Sequence, residues 1–425
     1  MKKGMTLAAA VLMPVLLVVA LTQSAAASAD APAGVIGARE PISVASTDCA
    51  TDTQESDAKY LICVPDGWDA TDDLLVYAHG YMAPDREIEI PQDQMVIDGV
   101  SVTETVTSLG YAFATTSYSE NGLAVRPAIS DLLDLVDIFT TTRETPNHIY
   151  LVGVSEGGLI TALSVEEYPD VYDGGLAMCG PYGDFQGQIN HFGDFRVVFD
   201  YFFPGLMPGS AVTIPQNLDE EWEAGFFSDT VKGPVEASEN MTKVAELLQV
   251  TGVSPYTYDP PTSTESIERL LWYNVFATED GKEKLGGQPF ENEGRQYEGS
   301  NDDTTLNNEV ERFSADPETL SAISQTLRTT GNVSVPVVTL HTTGDPVVPY
   351  WHATQYTGKT IDADRSDLHA HFEVERHGHC SFRAWEIVEA FSQLVEMVSS
   401  RYRVLLPVTL RGYHTAFPES NPSRR

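Results

Sequence analysis

Five residues near the middle of the chain carry its plainest chemical signal. Gly153-Val154-Ser155-Glu156-Gly157, with Gly158 next, matches G-x-S-x-G. A nucleophilic serine needs a sharp strand-to-helix turn that exposes its Oγ. The strained backbone of that turn leaves room for little but glycine on either side. The bare pattern arises easily by composition, so its surroundings decide. Residues 149–152 read as a strand before it and 159–163 as a helix after it, the context the pattern requires. That helix would also point its positive end at the serine. A passive serine in a glycine-rich turn is the competing reading, and partners elsewhere in the chain weigh against it.

Two such partners exist. Asp345, in Gly344-Asp345-Pro346-Val347, follows an apolar strand pattern. A carboxylate there would fix a histidine's tautomer and stabilise its imidazolium, although Gly-Asp-Pro is also ordinary turn chemistry. Asp362, Asp364 and Asp367 lie in a polar stretch and read as solvated. The histidine comes from Glu375-Arg376-His377-Gly378-His379-Cys380-Ser381. His379 is favoured, because it lies past the glycine on a loop; His377, nearer the strand, competes but reads as filling a polar position. An oxyanion needs two backbone N–H donors. Glu156 should supply one. Tyr81, in the loop His79-Gly80-Tyr81-Met82, should supply the other. His79 either braces that loop or is a plain buried histidine.

These residues need a scaffold, and the chain reads as one. Residues 60–64, 74–78, 111–117, 148–153 and 175–179 are apolar or β-branched runs. Ile129, Leu132, Leu133, Val136 and Phe139 recur at helical spacing between two of them. Alternating strands and helices imply an α/β fold, a mostly parallel sheet with helices on both faces. Regularity lapses from about 182 to 333, where aromatics cluster, and the pattern resumes at 335–340. Residues 370–374 read as the last strand and 385–398 as the closing helix. The expected organisation is a core over 45–184 and 334–403, a large inserted lid over 185–333, and a C-terminal tail over 404–425. Phe202 and Phe227, in the lid, are candidates to line an apolar substrate pocket, with the lid's own core as the alternative.

The N-terminus reads as a signal peptide. Lys2 and Lys3 precede an apolar run over 5–21, and small residues offer cleavage sites before 29. Export is the expectation, with no membrane association after cleavage. Residues 1–29 hold two lysines and no acid, so their removal takes the net charge from −37 to −39. Such a surface repels nucleic acid, and none is expected as a partner. An even count of four cysteines in an exported chain implies disulfides. Proximity favours Cys49–Cys63, which leaves Cys179–Cys380. No cofactor or metal is expected. Asp302, Asp303, Asn307 and Glu309, in an acidic stretch, offer hard oxygens but lack EF-hand spacing.

At Ala78-His79-Gly80-Tyr81, 153–158, Gly344-Asp345-Pro346-Val347-Val348-Pro349 and Gly378-His379-Cys380 the chain resembles the α/β-hydrolase superfamily, in particular its secreted bacterial esterases and prolyl-oligopeptidase-like members. The resemblance spans the whole core, and the order Ser155, Asp345, His379 is that superfamily's order. It implies an α/β-hydrolase fold and a serine hydrolase acting on a small-molecule or polymeric ester. A serine peptidase of prolyl-oligopeptidase-like type is the alternative, and a catalytically inactive binding protein stands behind both. Tannases and feruloyl esterases join a cysteine before the nucleophile to one after the histidine. This chain has Cys380 after His379 but Val154 before Ser155, and Cys179 is placed to substitute.

Overall fold

The computed structural model describes residues 47–253 and 260–404. The signal segment expected over 1–29 lies outside them, as does the expected tail apart from Val404. Among the described residues ten strands form: β1 (Thr47–Thr53), β2 (Lys59–Pro65), β3 (Leu74–Ala78), β4 (Val96–Ile97), β5 (Val100–Ser101), β6 (Ala112–Thr116), β7 (Ile149–Val154), β8 (Gly174–Met178), β9 (Val337–Gly344) and β10 (His369–His377). Eight of them make one sheet in the order β1-β2-β6-β3-β7-β8-β9-β10, while β4 and β5 pair separately. The β1–β2 and β2–β6 pairs are antiparallel, and every later pair is parallel.

A parallel sheet must bury both faces, so its strands are apolar throughout. β3, β6 and β8 are buried along their whole length. Side chains alternate between the faces. Leu74, Val76 and Ala78 pack on one side with α2 (Val125–Thr142) and α3 (Glu156–Glu167). Leu75 and Tyr77 pack on the other with α1 (Val102–Ser108) and the closing helix α12 (Ala384–Val404). On α2 the residues Ile129, Leu132, Leu135, Val136 and Phe139 are buried, one stripe at helical spacing. This is the α/β-hydrolase fold. Among the described residues no helix is long and apolar enough to cross a membrane.

The chain leaves the sheet after β8 and returns at β9. The segment between is helical rather than irregular, contrary to the lapse of pattern read over 182–333. It holds α4 (Phe185–Phe202), α5 (Leu218–Glu223), α6 (Lys232–Glu236), α7 (Met241–Val250), α8 (Pro260–Leu285), α9 (Asp303–Glu309) and α10 (Pro317–Thr326). Its helices enclose a separate apolar core, which includes Phe195, Phe199, Leu247, Leu270 and Leu271. Arg196 is fully buried there, its charge held by Asp200, Asn274 and the carbonyl of Pro208. The last α-helix before β10 is α11 (Trp351–Asp362). Both disulfides expected from the sequence are present: Cys49–Cys63 links the paired β1 and β2, and Cys179–Cys380 joins the end of β8 to the loop after β10.

Candidate active site

Ser155 stands alone between β7 and α3, with φ 58° and ψ −121°. A non-glycine residue holds a positive φ only where its surroundings force it, and here they do. A Cβ on Gly153 would lie 2.0 Å from the carbonyl oxygen of Gly157, and one on Gly157 would lie 2.1 Å from that of Ala78. A Cβ on Gly158 would meet the carbonyl oxygen of Met178 at 2.6 Å. The three glycines therefore let the turn close against β3 and β8, which lifts Oγ to the carboxyl edge of the sheet.

At that edge the three residues singled out in the sequence meet. Ser155 Oγ lies 2.8 Å from His379 Nε2, and His379 Nδ1 lies 2.7 Å from Asp345 Oδ2. Asp345 is buried, and its other oxygen accepts the backbone N–H of Val347 and of Val348 at 2.9 Å each. With that oxygen spent on its own loop, Oδ2 is free for the histidine. Asp345 Oδ2 also lies 3.7 Å from His341 Nε2, too far for a hydrogen bond. Burial holds His341 below its usual range, and its Nε2 donates to the carbonyl of Val348. His377 does not reach Ser155. Its Nε2 lies 3.4 Å from Ser266 Oγ on α8.

The loop after β3 abuts the serine. A Cβ on Gly80 would sit 3.1 Å from Ser155 Cβ. The loop is held by a residue that no motif marks. Gln94 accepts the N–H of Gly80 through Oε1 at 2.7 Å and donates through Nε2 to the carbonyl of Tyr81 at 3.3 Å. The Gly80–Tyr81 peptide is thus pinned at both ends. His79 braces the same loop: its ring stacks on Tyr118 at 3.9 Å, and the Tyr118 hydroxyl donates to its carbonyl. Burial pushes His79 down to about 4, so it is neutral at pH 7. Glu156 is the first residue of α3, where backbone N–H groups have no partner within the helix.

The helical segment reaches the same place. Tyr273 on α8 lies beside Ser155 in the walls of the cavities there, and its ring stacks on Phe192 of α4 at 4.8 Å. Gln188 and His191 of α4 donate to the carbonyls of Val347 and Pro346 in the Asp345 loop. No motif marks these residues; only the fold brings them together. Two cavities meet at Ser155, Tyr81 and Tyr273. One, of ≈ 130 Å³, lies on the Glu156 side, and the other, of ≈ 500 Å³, on the His379 side.

Phe202 and Phe227 line neither cavity. Both are buried in the helical segment's own core, because their faces of α4 and of the 227–231 turn point between helices rather than toward the sheet edge. The pocket is lined instead by residues such as Phe185, Ile189 and Phe192, from the N-terminal half of α4. The acidic stretch spends its oxygens locally. Asp302 caps α9 through the N–H of Thr305, Asp303 accepts from Gly299 and Ser300, and Asn307 bonds the backbone of Tyr297. Among the described residues no group of three or more His, Cys, Asp or Glu side chains is placed to hold a metal ion.

No family model matches the chain, and no curated protein matches it. Solved structures do. An esterase from Aspergillus oryzae is similar at 14% identity over 77% of this chain and 71% of its own, with a TM-score of 0.47. An esterase from Pyrococcus furiosus is similar at 13% identity over 87% of this chain and 97% of its own, with a TM-score of 0.42. An acylaminoacyl peptidase from Pyrococcus horikoshii is similar at 11% identity over 84% of this chain but 42% of its own, with a TM-score of 0.41. At such identities the chemistry has to be read from the site itself.

Proposed function

We propose that this protein is a secreted serine hydrolase that cleaves a carboxylic ester through an acyl-enzyme. The observation that carries the reading is the unbroken relay from Ser155 Oγ through His379 to Asp345, at 2.8 and 2.7 Å. Ser155 Oγ attacks the ester carbonyl while His379 Nε2 takes its proton. Asp345 holds the imidazole in the Nδ1–H tautomer and stabilises the imidazolium. The backbone N–H groups of Tyr81 and Glu156 receive the developing oxyanion. His379 then passes the proton to the leaving alkoxide, and water, deprotonated by the same nitrogen, releases the acid and restores Ser155. The helical segment over 185–333 acts as the lid, since α4 and α8 roof the serine. Two disulfides suit an oxidising compartment.

The ester reading is preferred over the peptidase because of Glu156. It is the acidic side chain beside the nucleophile that would anchor a peptide's ammonium group. Burial pushes its carboxyl up to about 8, so it is uncharged at pH 7. Turnover of p-nitrophenyl esters against aminoacyl-p-nitroanilides tests the choice. Esters should be hydrolysed at least 100-fold faster in kcat/KM; preference for the anilides would reverse the assignment. His379→Ala should lose several orders of magnitude of turnover and His377→Ala little.

A further inference from the structure

The two cavities at Ser155 differ in a way that gives the substrate a direction. Both touch the nucleophile, but only the larger one touches His379. In acyl transfer the histidine must reach the leaving atom to protonate it, so the leaving group has to lie on the His379 side. The acyl group then points the other way, across Ser155 toward Glu156. We infer, on the reading of the site as an ester hydrolase, that the smaller cavity is the acyl pocket for one compact apolar group, and that the larger cleft takes a bulkier polar leaving group.

The chemistry of each wall agrees. The smaller cavity is lined by apolar side chains from both layers, among them Leu123, Phe185, Ile189, Phe192, Val347 and Val348. The one carboxyl among the described residues that line it, Glu156, is kept neutral at pH 7 by burial, so they present no charge to an acyl chain. The larger cleft mixes Gln94, Asp98 and Ser381 with Val96, Ile97 and Phe382, and is the more polar of the two. That composition suits a polar leaving group that is neutral or cationic. Size sets the acyl limit. An apolar cavity of about 150 Å³ takes one benzene ring, so ≈ 130 Å³ accepts an aryl ring or a chain of about six carbons.

One residue sets the depth. Tyr273, Ala277, Gly281 and Leu285 recur every fourth position on α8 and all line the cavity, as residues on one helical face must. Gly281 is the gap in that row. A Cβ built on it meets nothing within 4 Å, although glycine in a helix interior is disfavoured relative to alanine. The missing side chain is space for the substrate.

Ethyl hexanoate and hexyl acetate test this directly, because they are constitutional isomers with the long chain on opposite sides of the ester. Hydrolysis of each is followed by pH-stat titration. Each methylene buried adds about fourfold in binding, so ethyl hexanoate should exceed hexyl acetate at least tenfold in kcat/KM. Gly281→Leu, which fills the cavity, should lower that ratio at least tenfold, and Gly281→Ala should lower it less. Equal rates for the isomers, or a preference for hexyl acetate that Gly281→Leu removes, would overturn the assignment. If the leucine variant does not fold, the wild-type ratio and the alanine variant still decide. Hydrolysis of neither isomer would overturn it too. In that case labelling of Ser155 by a fluorophosphonate spares the parent reading, and no labelling removes both.

Discussion

Replacing Glu156 with glutamine should make the protein's stability less sensitive to alkali, and the size of the change follows from the site. Glu156 is buried at the start of α3 with its Oε1 accepting the backbone N–H of Ala124 at 3.1 Å. Burial raises its pKa from 4.5 to about 8, opposed by the Ala124 N–H and by Lys284 and reinforced by Asp280. The unfolded chain releases this proton near pH 4.5 and the folded chain near 8. Between those values the folded state binds more protons, so stability falls as pH rises. The contribution is fully present below 4.5, declines through the window and is gone above 8. A shift of that size is worth about 5 kcal/mol at most, at about 1.4 kcal/mol per pH unit, which is large beside the 5–15 kcal/mol typical of a domain. Glutamine keeps the acceptor for Ala124 and cannot ionise. Urea titrations of both proteins at pH 5, 7 and 9 should give similar midpoints at pH 5 and a growing advantage for Glu156→Gln toward pH 9. Because all other acids are common to both, the difference isolates one carboxyl. Stability curves that run parallel from pH 5 to 9 would refute the account of Glu156 as a buried, neutral acid. The same ionisation should depress ester turnover above pH 8, since a carboxylate beside Ser155 opposes the developing oxyanion, and Glu156→Gln should remove that limb.

Other perturbations test other parts. Gly157→Ala places a Cβ 2.1 Å from the carbonyl of Ala78, and a clash with backbone should cost roughly 3 kcal/mol or more, read as a fall in Tm with loss of soluble yield. Arg196→Met should cost about 3–5 kcal/mol, because Asp200 and Asn274 lose a buried cation's hydrogen bonds; a change under about 1 kcal/mol would show that those groups find water instead. The Cys179–Cys380 link spans 201 residues of sequence and ends on the residue bonded to His379. Loop-closure entropy puts it at roughly 5 kcal/mol. Mild reductant should lower turnover before the far-ultraviolet circular dichroism changes, and simultaneous loss of both would disprove a positional role.

The core was legible because each strand is a short apolar run with a turn signal, and because the sheet buries both faces. Residues 74–78 read as a strand, and β3 has those same limits. The turn at Ser155 was legible for a steric reason: Gly153, Gly157 and Gly158 are required by backbone contacts, so they leave a mark in the sequence. The helices between β8 and β9 were not. On α4, Gln188, Asn190, His191, Phe195, Arg196, Val197, Val198 and Phe199 are all buried, so that helix packs around most of its circumference and shows no single apolar stripe. Its buried polar residues mask it further. β1 is exposed along its length and pairs at the sheet edge, which leaves no alternation to read. Gln94 and Tyr273 reach the site from 14 and 118 residues away from Gly80 and Ser155 in sequence, and nothing local announces them. The aromatic cluster points to Phe202 and Phe227, but apolar residues of a segment this long must first build its own core.

The proposed role of Ser155 as nucleophile has the most direct test. A fluorophosphonate probe reacts with a serine only when a base activates it and an oxyanion site receives the charge. Peptide mass mapping after labelling should place a single adduct on Ser155, absent from Ser155→Ala and strongly reduced in His379→Ala but not in His377→Ala. An unlabelled wild-type protein, or an adduct on another residue, would contradict the account.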